Sequence, residues 1–309
     1  MIICTLFNPA IDVAYRVDNF ELGVTRLGAQ ARSVPSGKGL NVARVVRTLG
    51  EDAAVAGLIP AIDMRRFQSF ISDQGLTPFL HEMPGCTRIN VTLNDSQARC
   101  TTHINSASQE LPIRIQEEFL HFLAQRMERS SLWCLSGSLP SGFDDDAYSR
   151  VIGMCRDRGT SCLLDTRGIP LKVGVRAVPL VVTPNHMELE EFFGEEIKGV
   201  HHIALMGKRL IDLGVGYVFI TLGDDGVIAI HENDCLLCTP PVVKTVDTVG
   251  CGDAFAAGII VALKRKFSFV ETCRMAVACG SSKSMHEGPG VVTLDEVWQL
   301  MEDVKITAV

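Results

Sequence analysis

The run Asp247-Thr248-Val249-Gly250-Cys251-Gly252-Asp253 leads straight into an apolar stretch of helical character. Backbone N–H groups in the first turn of a helix lack intrahelical partners and carry partial positive charge, which suits an anion such as a phosphoryl group. Glycines 250 and 252 let the main chain approach that anion closely, because no Cβ intervenes. Asp253 can take a proton from a hydroxyl lying beside the same phosphoryl group. An anion cradle and a base this close together describe phosphoryl transfer. The same letters also describe a tight turn with a capping aspartate, so the rest of the chain must decide between the two.

A second glycine-rich segment, Pro35-Ser36-Gly37-Lys38-Gly39-Leu40-Asn41, opens the first large helix. It is not a Walker A loop: Gly39 follows the lysine where Ser or Thr is required, and Arg32 holds the place of the first glycine. Glycine N–H groups, Lys38 and the Asn41 amide still suit an anion or a set of hydroxyls. Pro184-Asn185 followed by Glu188 has the spacing of a helix capping box, which explains both polar residues without a metal. Thr221-Leu222-Gly223-Asp224-Asp225-Gly226 joins two strands, as a hairpin turn or as a contact for nucleotide phosphates. Arg26, Arg88 and Arg99 fall in β-like segments, where a planar guanidinium suits either a surface acid or a bidentate grip on phosphate.

Composition narrows the class. The 309 residues are 47% hydrophobic and carry a formal charge of −7 without a basic tail, which disfavours nucleic acid. No run reaches the ~18 apolar residues of a membrane helix, and the N-terminus lacks a basic signal-peptide start. A soluble, cytoplasmic protein is expected. The 11 cysteines are odd in number and scattered, as small buried residues would be. Cys235-Leu236-Leu237-Cys238 has no second pair to complete a zinc site. The eight histidines show no metal spacing either, and His201-His202 reads as surface polarity.

Strand-like and helix-like segments alternate along the chain, implying βαβ units and a mainly parallel sheet covered on both faces. Strands are expected near 2–7, 53–58, 131–136, 161–165, 180–183, 217–221, 227–230 and 236–239. Helices are expected near 40–49, 63–73, 112–129, 144–158, 187–193, 201–213, 251–264, 269–284 and 294–303. Two blocks with a period of two, about 12–34 and 86–105, suggest a small extra sheet acting as a lid on one large α/β domain. Ligands of such sheets bind beyond the carboxyl ends of the strands. Asn8, Ser136-Gly137-Ser138, Asp165, Asn185, Gly223 and Asp247 all fall at such ends.

Taken together, these motifs resemble the PfkB, or ribokinase-like, carbohydrate kinase family over nearly the whole chain. The 247–253 run matches its C-terminal signature with Cys251 in place of the usual Ala, and Ser36 replaces a common glycine in the N-terminal motif. Thr5-Leu6-Phe7-Asn8-Pro9-Ala10-Ile11-Asp12, Asn41-Val42-Ala43-Arg44 and Thr87-Arg88-Ile89-Asn90-Val91 resemble the hexose-phosphate branch, which holds 1-phosphofructokinase and tagatose-6-phosphate kinase. The resemblance implies a three-layer α/β/α sandwich with a β-sheet lid and a homodimer formed through that lid. It implies transfer of phosphate from ATP, with Mg2+, to a small-molecule ketohexose monophosphate. Asp12, Gly37, Lys38 and Asn41 would bind sugar hydroxyls, and Arg88 with Arg26 and Ser138 would hold the existing phosphate. Gly250, Cys251 and Gly252 would form the anion hole, with Asp253 as base. Asn185, Thr221, Gly223 and Gly226 would face the nucleotide, and Glu188 would support magnesium indirectly, through water.

Two departures stand out. Thr183 occupies a place where many relatives carry Lys, so one phosphate contact is expected to be missing. Cys251 puts a thiol at a helix N-terminus, where its pKa can fall, although an inward packing like that of alanine is the expected one. The competing readings are a kinase for an unphosphorylated sugar or nucleoside, a catalytically silent sugar-phosphate sensor, and a Rossmann dehydrogenase. The last lacks an early G-x-G-x-x-G after a strand.

Overall fold

The computed structural model describes residues 1–25, 30–95, 97–98, 100–128 and 131–309. Arg26 and Arg99 lie outside the described residues. In chain order the strands are β1 (Ile2–Leu6), β2 (Ala10–Arg16), β3 (Gln30–Ser36), β4 (Ala53–Pro60), β5 (Thr77–Met83), β6 (Arg88–Asp95) and β7 (Cys100–Asn105). There follow β8 (Leu132–Ser136), β9 (Ser161–Asp165), β10 (Val181–Val182), β11 (Tyr217–Thr221), β12 (Val227–His231), β13 (Asp234–Thr239) and β14 (Lys305–Ala308). The helices are α1 (Lys38–Thr48), α2 (Met64–Asp73), α3 (Ile113–Ala124), α4 (Ala147–Asp157) and α5 (Gly168–Arg176). They continue with α6 (His186–Phe193), α7 (Gly199–Asp212), α8 (Cys251–Lys264), α9 (Phe269–Ser284) and α10 (Leu294–Asp303).

Ten strands form one sheet in the order β14-β13-β12-β11-β10-β9-β8-β1-β4-β5. From β5 to β11 the neighbours are parallel, and β12 to β14 close the edge antiparallel. Successive residues of the buried strands feed opposite layers. Ile2, Cys4 and Leu6 of β1 join a core with α1, α2, α8, α9 and α10, while Ile3 and Phe7 join one with α3 to α7. This is why β1 and β4 are buried along their whole length and read as continuous apolar runs. The same alternation separates Cys235 from Cys238, which are free thiols buried in different layers. The three-layer α/β/α expectation holds.

The second sheet, in the order β3-β2-β6-β7, stands apart from the sandwich and is built from the two period-two blocks. In its register Asp12 sits opposite Asn90, and Ala10 opposite Arg88. Polar residues from distant parts of the chain thereby meet on one rung.

The described structure also adds and shortens elements. The strand β5 was not expected, because Pro78, His81 and Glu82 interrupt its apolar pattern; it lies at the sheet edge, where proline and polar residues are tolerated. Helix α5 carries Pro170 in its first turn, where the missing N–H costs nothing. The short β14 pairs with β13 after the last helix. Helix α3 ends at Ala124 rather than near residue 129, with the Arg126 guanidinium donating to Phe122 O at 2.8 Å and lying over the Phe122 ring. Helix α4 begins at Ala147, after a turn that spends Asp144 to Asp146.

Helix α8 is buried on nearly every side and packs tightly on α9. At Gly258 an added Cβ would lie 2.8 Å from Ala276 Cα and 2.9 Å from Met275 O, so this glycine sets the helix separation. Gly258→Val should therefore lower the unfolding free energy by roughly 2 kcal/mol, through overpacking that outweighs any gain in helix propensity. Urea denaturation tests this, and an unchanged midpoint would show that the two helices can part freely.

Candidate active site

The parallel sheet switches direction between β1 and β8, because the chain leaves β1 for β4 on one side and later returns to β8 on the other. A crevice opens beyond the carboxyl ends at such a point. Asn8 follows β1 there, and its side-chain amide donates to Ser138 Oγ, beyond β8, at 3.0 Å. Ser136, Asp165 and Thr183 stand side by side at the ends of β8, β9 and β10. Helix α1 begins at the same crevice, and its Lys38 Nζ lies 3.3 Å from Asp165 Oδ2.

Helix α8 enters from the other side. Gly250 is its N-cap with φ 86°, a left-handed conformation that a side chain would strain. The first bond that closes the helix runs from the Ala254 N–H to Gly250 O at 3.0 Å. The Cys251 N–H turns back to Thr248 O at 3.2 Å, so it differs from the expected three-amide cradle. Among the described residues, the N–H groups of Gly250, Gly252 and Asp253 have no backbone acceptor. The open amides therefore differ from the expected set by one member, with Asp253 in place of Cys251.

The Asp253 side chain is only 4% exposed and is not turned away into hydrocarbon. Its Oδ2 accepts from the Asn41 amide at 2.8 Å, which ties α8 to α1. Burial pushes the Asp253 carboxyl up to about 6, with Asp165 and Asp12 adding to the rise while Lys38 and the Asn41 bond oppose it. Lys38 is driven the opposite way in charge: Asp165 above all, then Asp253 and Glu188, hold its ammonium well above the lysine range. A carboxyl shifted towards neutrality and a permanent cation thus influence each other within the crevice.

Arg88 and Asp12 lie on the small sheet. Arg88 Nη2 donates to Asn8 O at 3.4 Å, and the Asn90 amide donates to Asp12 Oδ1 at 2.9 Å. Burial lowers the Arg88 pKa. Buried side-chain atoms without a partner include Arg88 Nε, Asn90 Oδ1, Ser136 Oγ and Thr183 Oγ1, all in this region. Such atoms are costly unless something polar meets them.

On the far side of α8 a cleft of about 540 Å³ is lined by Thr221, Gly223, Gly226, Cys251, Gly252 and Phe255, among others. Asn185 adjoins it through a bridge to Thr221. Asn185 and Glu188 make the expected capping box, with bonds of 2.8 and 2.9 Å. Burial, and more weakly Asp165, raises the Glu188 pKa. Cys251 is half-buried on the wall of this cleft, and burial raises its thiol pKa while Lys283 opposes the rise.

Of the expected residues, Thr221, Gly223, Gly226, Cys251 and Gly252 line the cleft and Asn185 adjoins it, while Asn41 bonds Asp253, and Asn8 links Ser138 to Arg88. Sequence reasoning gave no role to Asp165, which had only its strand-end position to signal it. Lys283, a fully buried lysine beside Asp247, gave no signal at all.

The Asp253 shift has a direct consequence. An unfolded aspartate titrates near ~3.9, and the folded one near about 6. The folded chain thus binds the proton more tightly, and this group removes stability as pH rises through that window, by about 3 kcal/mol in all. Asp253→Asn keeps an acceptor for Asn41 but no charge. Its unfolding free energy should exceed wild type near pH 8, with the gap closing towards about pH 4. Urea denaturation at both pH values checks this, and an equal gap at both would contradict it.

Residues 5–294 match the model of the pfkB family carbohydrate kinases. The chain is 28% identical over 309 residues to 1-phosphofructokinase of Bacillus subtilis (strain 168), covering 99% of each protein. It is 31% identical over 276 residues to 1-phosphofructokinase of Rhodobacter capsulatus, covering 88% of this chain and 86% of that one. Among solved structures, phosphofructokinase-2 from Escherichia coli superposes with a TM-score of 0.92 at 22% identity, covering 98% of both chains. With its motifs in family order on a shared fold, the chain belongs to the PfkB family of carbohydrate kinases.

Proposed function

We propose that this kinase transfers the terminal phosphate of ATP to a free hydroxyl of a ketohexose monophosphate, with fructose 1-phosphate the first candidate. Tagatose 6-phosphate and fructose 6-phosphate are the next. One observation carries the reading: the buried Asp253 carboxyl, bonded by Asn41, directly follows Gly252 on the wall of a glycine-edged cleft. The relatives named 1-phosphofructokinase support the choice of sugar.

The sugar phosphate would lie against the small sheet. The half-buried Arg88 guanidinium, with Ser138 near Asn8, would take its phosphate. Arg26, which the resemblance adds, lies outside the described residues. Asp12, Lys38, Asn41 and the Gly37 main chain would take its hydroxyls. Asp253 then removes the proton from the acceptor hydroxyl, the alkoxide oxygen bonds to the γ-phosphorus, and the bond to the ADP oxygen breaks. The amides of Gly250, Gly252 and Asp253 meet the negative charge on the transferred group. The nucleotide would occupy the cleft, with its phosphates along Asn185, Thr221, Gly223 and Gly226 and its base against Phe255 and Val242.

Magnesium fits this donor set as a companion of the nucleotide. Among the described residues there is no cluster of three or more His, Cys, Asp or Glu that would hold it alone. Asp165 and Glu188 are close enough to raise the Glu188 pKa, and such a pair would welcome a cation through water. Asp165 and Glu188 would hold the ion through water, and when bound it would supply positive charge to offset that of the nucleotide phosphates.

The small sheet would serve as the lid. Ile89 and Ile104 on it are 47% and 57% exposed, apolar area that a second copy would cover in a lid-mediated homodimer. No helix among the described residues is long and apolar enough to cross a membrane, in keeping with work on ATP and sugar phosphate in the cytoplasm.

ADP release against the three sugar phosphates and their dephosphorylated parents tests the substrate class. Turnover should require the phosphate, and equal rates on free fructose would overturn the reading. Absence of ADP release with every substrate would favour a sensor. Arg88→Ala should raise the sugar-phosphate KM by roughly a hundredfold with little change for ATP, as expected for a lost charge-assisted pair. Equal losses for both ligands would contradict the placement of Arg88. Asp253→Asn should fold yet lose at least about a thousandfold in kcat, the scale of a lost base. Retained turnover would remove Asp253 from the mechanism.

A further inference from the structure

The last turn of helix α9 carries a lysine that no proposed step uses. Lys283 is wholly buried, and its ammonium donates to Asp247 O at 2.8 Å and to His286 O at 3.0 Å. Asp247 Oδ2 lies 3.6 Å away. An ammonium has three N–H donors, and here it faces three oxygens, two of them main-chain carbonyls. A full positive charge in a protein interior survives only with such compensation.

The oxygens belong to two loops that brace the anion hole. The first is the 247–250 segment, where Asp247 Oδ1 accepts from the Val249 N–H at 2.9 Å, just before Gly250. The second is the 285–290 segment, whose Gly288 N–H donates to Asp247 Oδ2 at 2.9 Å. That second loop also touches the catalytic pair. A Cβ on Gly250 would sit 2.9 Å from Pro289, Arg44 donates to Pro289 O at 2.8 Å, and Gly290 abuts Asn41, the partner of Asp253. Main-chain N–H groups of Val246 and Asp247 both donate to Ser284 O, at 2.7 and 3.1 Å. The ammonium thus lies at the hub of a network that fixes where the open amides point. Its field also reaches the anion hole, since it opposes the rise in the Cys251 pKa.

We propose that the Lys283 ammonium is a tethered cation that positions the anion hole, filling a cage of two main-chain carbonyls and the Asp247 carboxylate that would otherwise suit an alkali-metal ion. Lys283 is a positioning residue, and the enzyme has no need of a dissolved monovalent cation. This rests on the kinase reading for its rate effects, but the occupancy of the cage is measured without turnover.

The experiment compares wild type, Lys283→Ala and Lys283→Met in tetramethylammonium chloride, with potassium chloride or methylammonium chloride replacing it at constant ionic strength. Wild-type kcat should be the same in all three salts. Lys283→Ala should lose roughly tenfold or more in kcat with little change in sugar KM, as misplaced amides would cause, and regain it in potassium or methylammonium. Lys283→Met fills the space with methylene groups and should lose activity without rescue. Thermal midpoints give the second readout: potassium should raise that of Lys283→Ala and leave wild type unmoved. Activation of wild type by potassium overturns the proposal. So does a folded Lys283→Ala that keeps full kcat in tetramethylammonium, or one that neither salt restores. Should neither variant fold, indifference of the wild type to potassium supports the tethered cation and activation refutes it. If no protein shows turnover while potassium still stabilises Lys283→Ala alone, the kinase reading fails and the cage stands.

Discussion

A carboxylate buried at the first turn of a helix is the constraint around which this molecule is arranged. Burial alone would keep Asp253 protonated and useless as a base at neutral pH. Three things restrain that tendency: the Asn41 amide, the Lys38 ammonium and the positive end of α8. The first two come from α1, far away in the chain, and the third from Asp253's own helix. The site works only if α1 and α8 lie side by side with their N-termini at one crevice.

The sandwich imposes that arrangement. Both helices cover the same face of the sheet and share one apolar core, and Gly258 lets α9 press α8 into place from outside. The sheet in turn delivers Ser136, Asp165 and Thr183 in a row at its carboxyl edge. Asp165 then holds Lys38 as a cation, which keeps Asp253 from rising further. The small sheet closes the ring by pairing β2 and β6, which carry Asp12 and Arg88 from two separate inserted blocks. Catalytic geometry here is a product of topology, not of one local motif.

The sequence made much of this legible where signals were local. Helix α8 and its preceding glycines were read to the residue, because Gly-x-Gly-Asp followed by an apolar run leaves few alternatives. The capping box at Asn185 and Glu188 was equally plain. Buried strands announced themselves by continuous apolar runs, but the edge strand β5 did not, since it is mostly half-buried and mixes polar residues and a proline into its run. Pairings across the fold were the hidden part. Nothing near Asp165 says that Lys38 will face it, and nothing near Lys283 says that its amine will be swallowed by two loops. The engagement of the Cys251 N–H by Thr248 O was likewise a matter of turn geometry, beyond what letters specify.

The central claim is that Asp253 titrates near neutrality inside the folded protein. Carbon-13 NMR of the enzyme labelled at aspartate side-chain carboxyls, titrated without ligands, measures this directly, with Asp253→Asn assigning the signal. One resonance absent from the variant should titrate with a pKa of about 6. If the resonance lost in the variant instead titrates near the ordinary ~3.9 of an exposed aspartate, the carboxylate is neither desolvated nor poised as a base, and the account fails.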